Sequence, residues 1–252
     1  MKQHILTDIH THILPGMDDG ARTVEDAVAL LCAASERGVR QLVFTPHFYP
    51  ERESLESFLS RREKAIEILN GCSQIKDIRI STKTGAEVRY SPKLLDYNLH
   101  SLCIQDTPYM LLELSTGSKP LFFKETLFGI QSQGVIPILA HVERYGYLMK
   151  NPVSLSQWID AGVLIQVNAD SLERGNPYKR TVSKLIQWNM VHLMASDTHS
   201  MDQRPPNLEA GLSQCSQEMQ KQLTEHAAGV FKGEAFYIAS PKYPQKRFWG
   251  WR

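Results

Sequence analysis

The chain has 252 residues, 42% hydrophobic and 22% charged, with 28 basic against 27 acidic side chains and a net charge of +1. Such a composition suits a globular chain with a sizeable core, and the even charge balance excludes a broad nucleic-acid footprint or a polybasic membrane anchor. No apolar run approaches the roughly 20 residues that span a bilayer, and the first residues carry no signal-peptide core, so no membrane insertion and a cytoplasmic location are expected.

In chain order, compact aliphatic and β-branched runs alternate with helical stretches. A strand is predicted over residues 5–9. The helix after it is capped by Thr23, carries Glu25 and Asp26 in its first turn and is stopped by Gly38. A second strand over 41–45 precedes a helix over 55–69, where Leu55, Phe58, Leu59, Ala65, Ile66 and Leu69 form one apolar stripe. Strands over 78–84 and 110–114 follow, then a helix over 121–133 ended by Gly134. The same alternation gives a strand over 136–140, a helix over 154–161, a strand over 163–167, a helix over 178–188, a strand over 191–195 and a last helix over 208–226. Runs of this kind are those of parallel strands covered on both faces. Seven βα units without a linker predict an α/β fold: a single domain over 1–252, built as a distorted TIM-like barrel, with an open doubly wound sheet as the alternative. The basic, aromatic segment 243–252 is expected to pack on the surface or fray, a docking tail being the weaker alternative.

Cys32, Cys72, Cys103 and Cys215 are scattered, with no C-x-x-C pair, which suits small buried hydrophobes better than disulfides or thiolate ligands. The residues six positions beyond them are Gly38, Ile78, Tyr109 and Lys221. None is the Arg that closes a cysteine-phosphatase loop.

The chemistry lies at the strand ends. Strand one is followed by His10, His12 and Asp18-Asp19; strand two by His47; strand three by Glu87. Strand four finishes at Glu113, five at His141, six at Asn168 and seven at Asp197-x-His199. Ends of parallel strands converge on one face, so residues spread along most of the chain can meet there. Any one of these taken alone reads best as a hydrogen-bonded structural residue or a turn former, and His4, His100, His192 and His226 keep that reading. Five of the nine histidines at strand ends, together with carboxylates, point instead to a metal site. Imidazole and carboxylate without thiolate suit Mn, Fe, Zn or Co. Four carboxylates set against three divalent ions leave a positive residue that matches a phosphomonoester dianion. Arg144 and Arg204, in loops after ligand-bearing strands, are placed to clamp phosphate, with a surface ion pair as the alternative for each. Asp8, inside strand one, is expected to orient a ligand histidine.

The run Asp8-Ile-His10-Thr-His12-Ile-Leu-Pro-Gly-Met-Asp18-Asp19-Gly20 resembles the opening motif of PHP-superfamily phosphoesterases. With Thr45-Pro46-His47, Gly85-Ala86-Glu87, Ala140-His-Val-Glu-Arg-Tyr145, Ser196-Asp197-Thr-His199 and Arg204-Pro-Pro, it is similar to the CpsB/YwqE branch of bacterial protein-tyrosine phosphatases. The resemblance implies a distorted seven-unit barrel holding three metals, commonly manganese. His10, His12, Glu87 and Asp197 would form one site; Glu87, Glu113 and His141 a second; Asp19, His47 and His199 a third; Arg144 and Arg204 would hold the phosphate. It also implies attack of a metal-bound hydroxide on phosphotyrosine, in the tail of a membrane-bound tyrosine autokinase that drives capsule or exopolysaccharide synthesis. The alternatives are a phosphoesterase acting on a small phosphomonoester, such as histidinol phosphate or a nucleotide, and a non-catalytic binding module.

Overall fold

The computed structural model describes residues 5–242; the predicted tail 243–252 and His4 lie outside the described residues. Strand β1 (Leu6–Thr11) leads into helix α1 (Val24–Glu36). Thr23 caps this helix as expected: its hydroxyl accepts from the Asp26 amide at 3.1 Å while the Asp26 carboxylate accepts from the Thr23 amide at 3.0 Å. Such reciprocal caps contribute about 1 kcal/mol. Strand β2 (Val39–Phe44) is followed by β3 (His47–Phe48) and by α2 (Leu55–Gly71), which buries Phe58, Ala65 and Leu69. Strands β4 (Ser81–Thr84), β5 (Glu87–Arg89) and β6 (Tyr109–Glu113) precede α3 (Phe123–Ser132). Then come β7 (Ile136–Leu139), α4 (Gly146–Met149), α5 (Pro152–Asp160), β8 (Leu164–Asn168), α6 (Lys179–Gln187), β9 (Leu193–Ala195), α7 (Leu208–Ser213) and α8 (Gln217–Lys232).

All seven predicted strands are present, and among the described residues the pairings between named strands are parallel, giving an α/β fold. Among the described residues the strands number nine, because two short strands that were not predicted, β3 and β5, follow breaks after β2 and β4. Beyond β2 the chain breaks at Thr45-Pro46, where proline has no amide to donate, and resumes as β3. Beyond β4 it breaks at Gly85-Ala86 and resumes as β5. The result is a three-stranded sheet, β1-β2-β4, and a six-stranded one, β3-β5-β6-β7-β8-β9. Hydrogen bonds run between β1 of the first sheet and the segment that follows β9 of the second: the Asp197 amide donates to the His10 carbonyl at 3.0 Å, and the His12 amide to the Thr198 carbonyl at 2.8 Å. The single helix predicted over 208–226 is two helices. Ser216 starts the second, its hydroxyl accepting from the Met219 amide.

One face of the six-stranded sheet explains where the site sits. Along β6, β8 and β9 the same-side residues change from apolar to polar towards the C-terminal end: Leu111 then Glu113, Leu164 then Gln166 and Asn168, Leu193 and Ala195 then Asp197. The apolar members, with Ile9, Val43 and Ile138, form a buried cluster closed by Ala227, Val230 and Phe231 of α8. The polar members lie at the opposite end. No helix among the described residues is long and apolar enough to cross a membrane.

Candidate metal centre

Strand register brings the polar ends together. His47 pairs with Glu87, Glu87 with Leu111, and Arg89 with Glu113. The segment after β9 is laid beside β1 by the Asp197 amide, which donates to the His10 carbonyl at 3.0 Å. Asp197 and His141 are two of the five non-glycine residues with positive φ among the described residues, at 54° and 32°. Backbone held in that region costs on the order of 1–3 kcal/mol and persists where surrounding bonds over-determine it, as they do at functional sites.

At the centre, His10 Nε2 and His12 Nε2 face each other at 3.1 Å. Glu87 Oε2 lies 3.2 Å from both, and Asp197 Oδ1 lies 3.4 and 3.5 Å from them. The outer nitrogen of each ring is committed. His10 Nδ1 donates to Gln166 Oε1 at 3.2 Å, and His12 Nδ1 donates to Asp18 Oδ2 at 2.8 Å. With the outer nitrogens carrying protons, the inner nitrogens face each other and the carboxylates, an arrangement satisfied by a bound metal ion or, without one, by a proton on an inner nitrogen. Donors about 2.0–2.2 Å from a metal stand about 3.0–3.5 Å apart, and these spacings fit.

The remaining predicted ligands surround that cage. His141 Nε2 is 2.8 Å from Glu87 Oε1 and 3.8 Å from Glu113 Oε1. His47 Nε2 and His199 Nε2 are 3.5 and 3.4 Å from Asp19 Oδ1. Candidate ligand groupings also join His12 to Asp19, His47 and His199, and His47 to Glu87 and Glu113. His47 therefore faces two groups at once, its Nδ1 standing 3.1 Å from Glu87 Oε2. Buried His47 Nδ1 and His199 Nε2 have no aligned hydrogen-bond partner, as suits metal-binding nitrogens. All nine predicted ligands lie in this one cluster.

The field is consistent with positive charge at this point. Burial opposes the charged forms of His10 and His12, yet Glu87 and Asp197 beside His10, and Asp18 and Glu87 beside His12, hold both above the ordinary imidazole pKa. Burial likewise opposes ionisation of Glu87 and Asp197, and the surrounding imidazoles nevertheless hold both carboxyls well below their usual range. Both predicted arginines reach the cluster. Arg144 Nη2 is 2.9 Å and Arg204 Nη1 3.2 Å from Asp197 Oδ2, and Arg204 Nη2 is 3.2 Å from Asp19 Oδ2.

Asp8 does not orient a ligand histidine side chain. Its Oδ1 accepts from the Ser196 amide at 3.1 Å and so anchors the loop that carries Asp197; burial pushes its pKa up to about 6. The orienting groups are instead Asp18 and Gln166, which also accepts from the His141 amide at 2.8 Å. Asp18 also accepts from the His47 and Gly20 amides at 2.9 Å each. Asn168 donates to Asp197 Oδ2 at 2.8 Å, and Arg89 Nη1 lies 2.9 Å from Glu113 Oε2. A glutamine within the apolar run Leu-Ile-Gln-Val-Asn was the available signal for Gln166. Arg89 carried none. A Cβ on Gly20 would sit 1.9 Å from the His12 carbonyl oxygen, so that turn admits only glycine.

The family described as capsular polysaccharide synthesis, CpsB/CapC, matches residues 6–232. The chain belongs to the CpsB/CapC family. The CpsB/CapC match contains every predicted site residue, from His10 to Arg204. The tyrosine-protein phosphatase YwqE of Bacillus subtilis is 30% identical over 250 residues, covering 96% of this chain and 97% of that protein. The tyrosine-protein phosphatase CpsB of Streptococcus pneumoniae is 31% identical over 219 residues, covering 81% and 87%. A solved structure described as one of YwqE and CpsB, "unique metal-dependent tyrosine phosphatases", superposes with a TM-score of 0.82 at 25% identity, covering 96% of this chain and all of that one.

Proposed function

We propose that this chain is a metal-dependent protein-tyrosine phosphatase of capsular polysaccharide synthesis. The observation that carries the chemistry is the pair of inner imidazole nitrogens meeting between Glu87 and Asp197, with two arginines directed at the same carboxylate. His10, His12, Glu87 and Asp197 would hold one ion; Glu113 and His141, sharing Glu87, a second; Asp19, His47 and His199 a third. Manganese suits these donors, as do iron, zinc and cobalt. Divalent ions in such a site draw charge from the phosphoryl oxygens and lower the pKa of water towards neutrality.

The chain's own side chains do the rest. Asp18 and Gln166 fix the ring orientations and keep protons on the outer nitrogens. Arg144 and Arg204 turn from Asp197 to the phosphate oxygens and offset the charge that builds as the ester bond breaks. Cys103 takes no part: it is buried, its thiol pushed up to about 12 by burial, and so carries no thiolate at neutral pH. In this reading the chain is a single domain built as one distorted seven-unit barrel; the Thr11–Thr198 bridge and the Asp197–His10 bond between the two sheets support it. The substrate in this reading is the phosphotyrosine-bearing tail of a membrane-bound tyrosine kinase, met in the cytoplasm; the relatives' names and the family's link to capsule synthesis support it.

The test is turnover of a phosphotyrosyl peptide after exhaustive chelation and after adding back manganese, zinc or magnesium. Loss and metal-dependent recovery are expected. Activity that survives complete metal removal would overturn the reading, and a marked preference for small phosphomonoesters would replace its substrate.

A further inference from the structure

Two of the clefts among the described residues border Asp19, beside the ligands, and either could take the ester group of a phosphomonoester held at the centre. One, of about 420 Å³, is lined by Arg22, Asp26, His199 and Asp202 among others and offers no tyrosine, phenylalanine or tryptophan ring. The other, of about 320 Å³, runs between Asp19, His47, Tyr49, Arg52, Arg61 and Met17. Strand alternation makes it. His47 and Tyr49 point to the same side while Phe48 between them is fully buried in the core. The Tyr49 ring lies 5.2 Å from that of His47, and the Arg52 guanidinium sits 4.5 Å above it. The loop behind is pinned, since the Arg52 and Glu53 amides both donate to the Tyr49 carbonyl. The opposite wall is fixed as well: Arg61 is paired with Glu53 at 2.8 Å and donates to the Met17 carbonyl at 3.3 Å.

We propose that the Tyr49–Arg52 pair is the subsite that receives the aryl ring of the substrate and so selects aryl over alkyl phosphomonoesters. The inference deepens the phosphatase reading and rests on it for the position of the phosphorus. A flat ring over a guanidinium gives an aryl group an offset partner and a cation, whereas an alkyl chain gains only the apolar contact.

The test is calorimetric binding of phenylphosphonate and methylphosphonate to the manganese-loaded protein. Neither ligand is hydrolysed, so binding is read without turnover. The wild type is expected to prefer the phenyl compound. Tyr49→Ala should cut that preference about threefold to tenfold, with Tyr49→Phe retaining it. Arg52 is exposed, so Arg52→Ala leaves the fold intact and should lower the preference by a smaller factor, which keeps the test open should Tyr49→Ala fail to fold. A wild type that binds both compounds equally overturns the subsite. So does a Tyr49→Ala or Arg52→Ala protein that loses affinity for both compounds in the same proportion, or for neither. The phosphatase reading fails separately, through absence of turnover of a phosphotyrosyl peptide by a wild type that still prefers phenylphosphonate.

Discussion

Two sets of buried histidines occupy opposite ends of this fold, and the difference between them lies entirely in their neighbours. At the C-terminal ends of the strands, His10, His12, His141 and His199 are no more than 3% exposed and stand among carboxylates. At the other end, His192 and His226 are also buried, but their partners are backbone. The Ile165 amide donates to His192 Nδ1 at 2.9 Å, and His226 Nδ1 lies 2.9 Å from the His192 carbonyl, its ring stacked on Phe236. Burial, and after it the neighbouring His226, push His192 down to about 3 and keep it neutral. His10 and His12 move the other way. Burial therefore does not mark a functional histidine; burial beside a carboxylate with a committed outer nitrogen does.

The largest effect should come from breaking the upper set. His10→Ala or Asp197→Ala is expected to lower kcat on a phosphotyrosyl peptide a hundredfold or more, with loss of bound metal measured on the same sample. Retained metal and near-normal turnover in either variant would dissolve the distinction between the two ends. Arg144→Ala should lower kcat about a hundredfold through loss of charge stabilisation, without metal loss; a change confined to KM would mean that Arg144 only binds. The smallest effect belongs to the lower set. His192→Gln should cost about 1–3 kcal/mol in urea unfolding and leave metal content unchanged.

That last variant also carries a pH signature. The folded pKa of His192 is depressed, so its share of stability is present above the unfolded value near 6.5 and is lost as pH falls towards about 3. His192→Gln should flatten the acid slope in that window. In metal-free protein, His10 and His12 have the opposite sign: their raised pKa values contribute stability at low pH that fades as pH rises through them.

Most of this architecture was legible because it is written in local patterns. Thr23 with Asp26 and the aliphatic strand runs fixed the element order, and strand ends are where polar residues stand out against those runs. Strands β3 and β5, of two and three residues, are too short to carry a period and were missed. The metal ligands could be read because several chemically alike residues recur at one structural position. Their orienting partners could not, since Gln166 reaches His10 across 156 residues and only the closed arrangement of strands defines that contact. Asp8 was assigned to the wrong neighbour for the same reason: its partner, Ser196, is 188 residues away.

Gly20 has a consequence for how this chain tolerates change. It has no side chain and contributes only its amide, to Asp18, yet the smallest side chain there would run into the His12 peptide. Deleterious substitutions should therefore include a position with no functional group at all. A lineage in which Gly20 has been replaced would be a place to look for a centre that has shifted or been lost, even with every ligand still spelled out in its sequence.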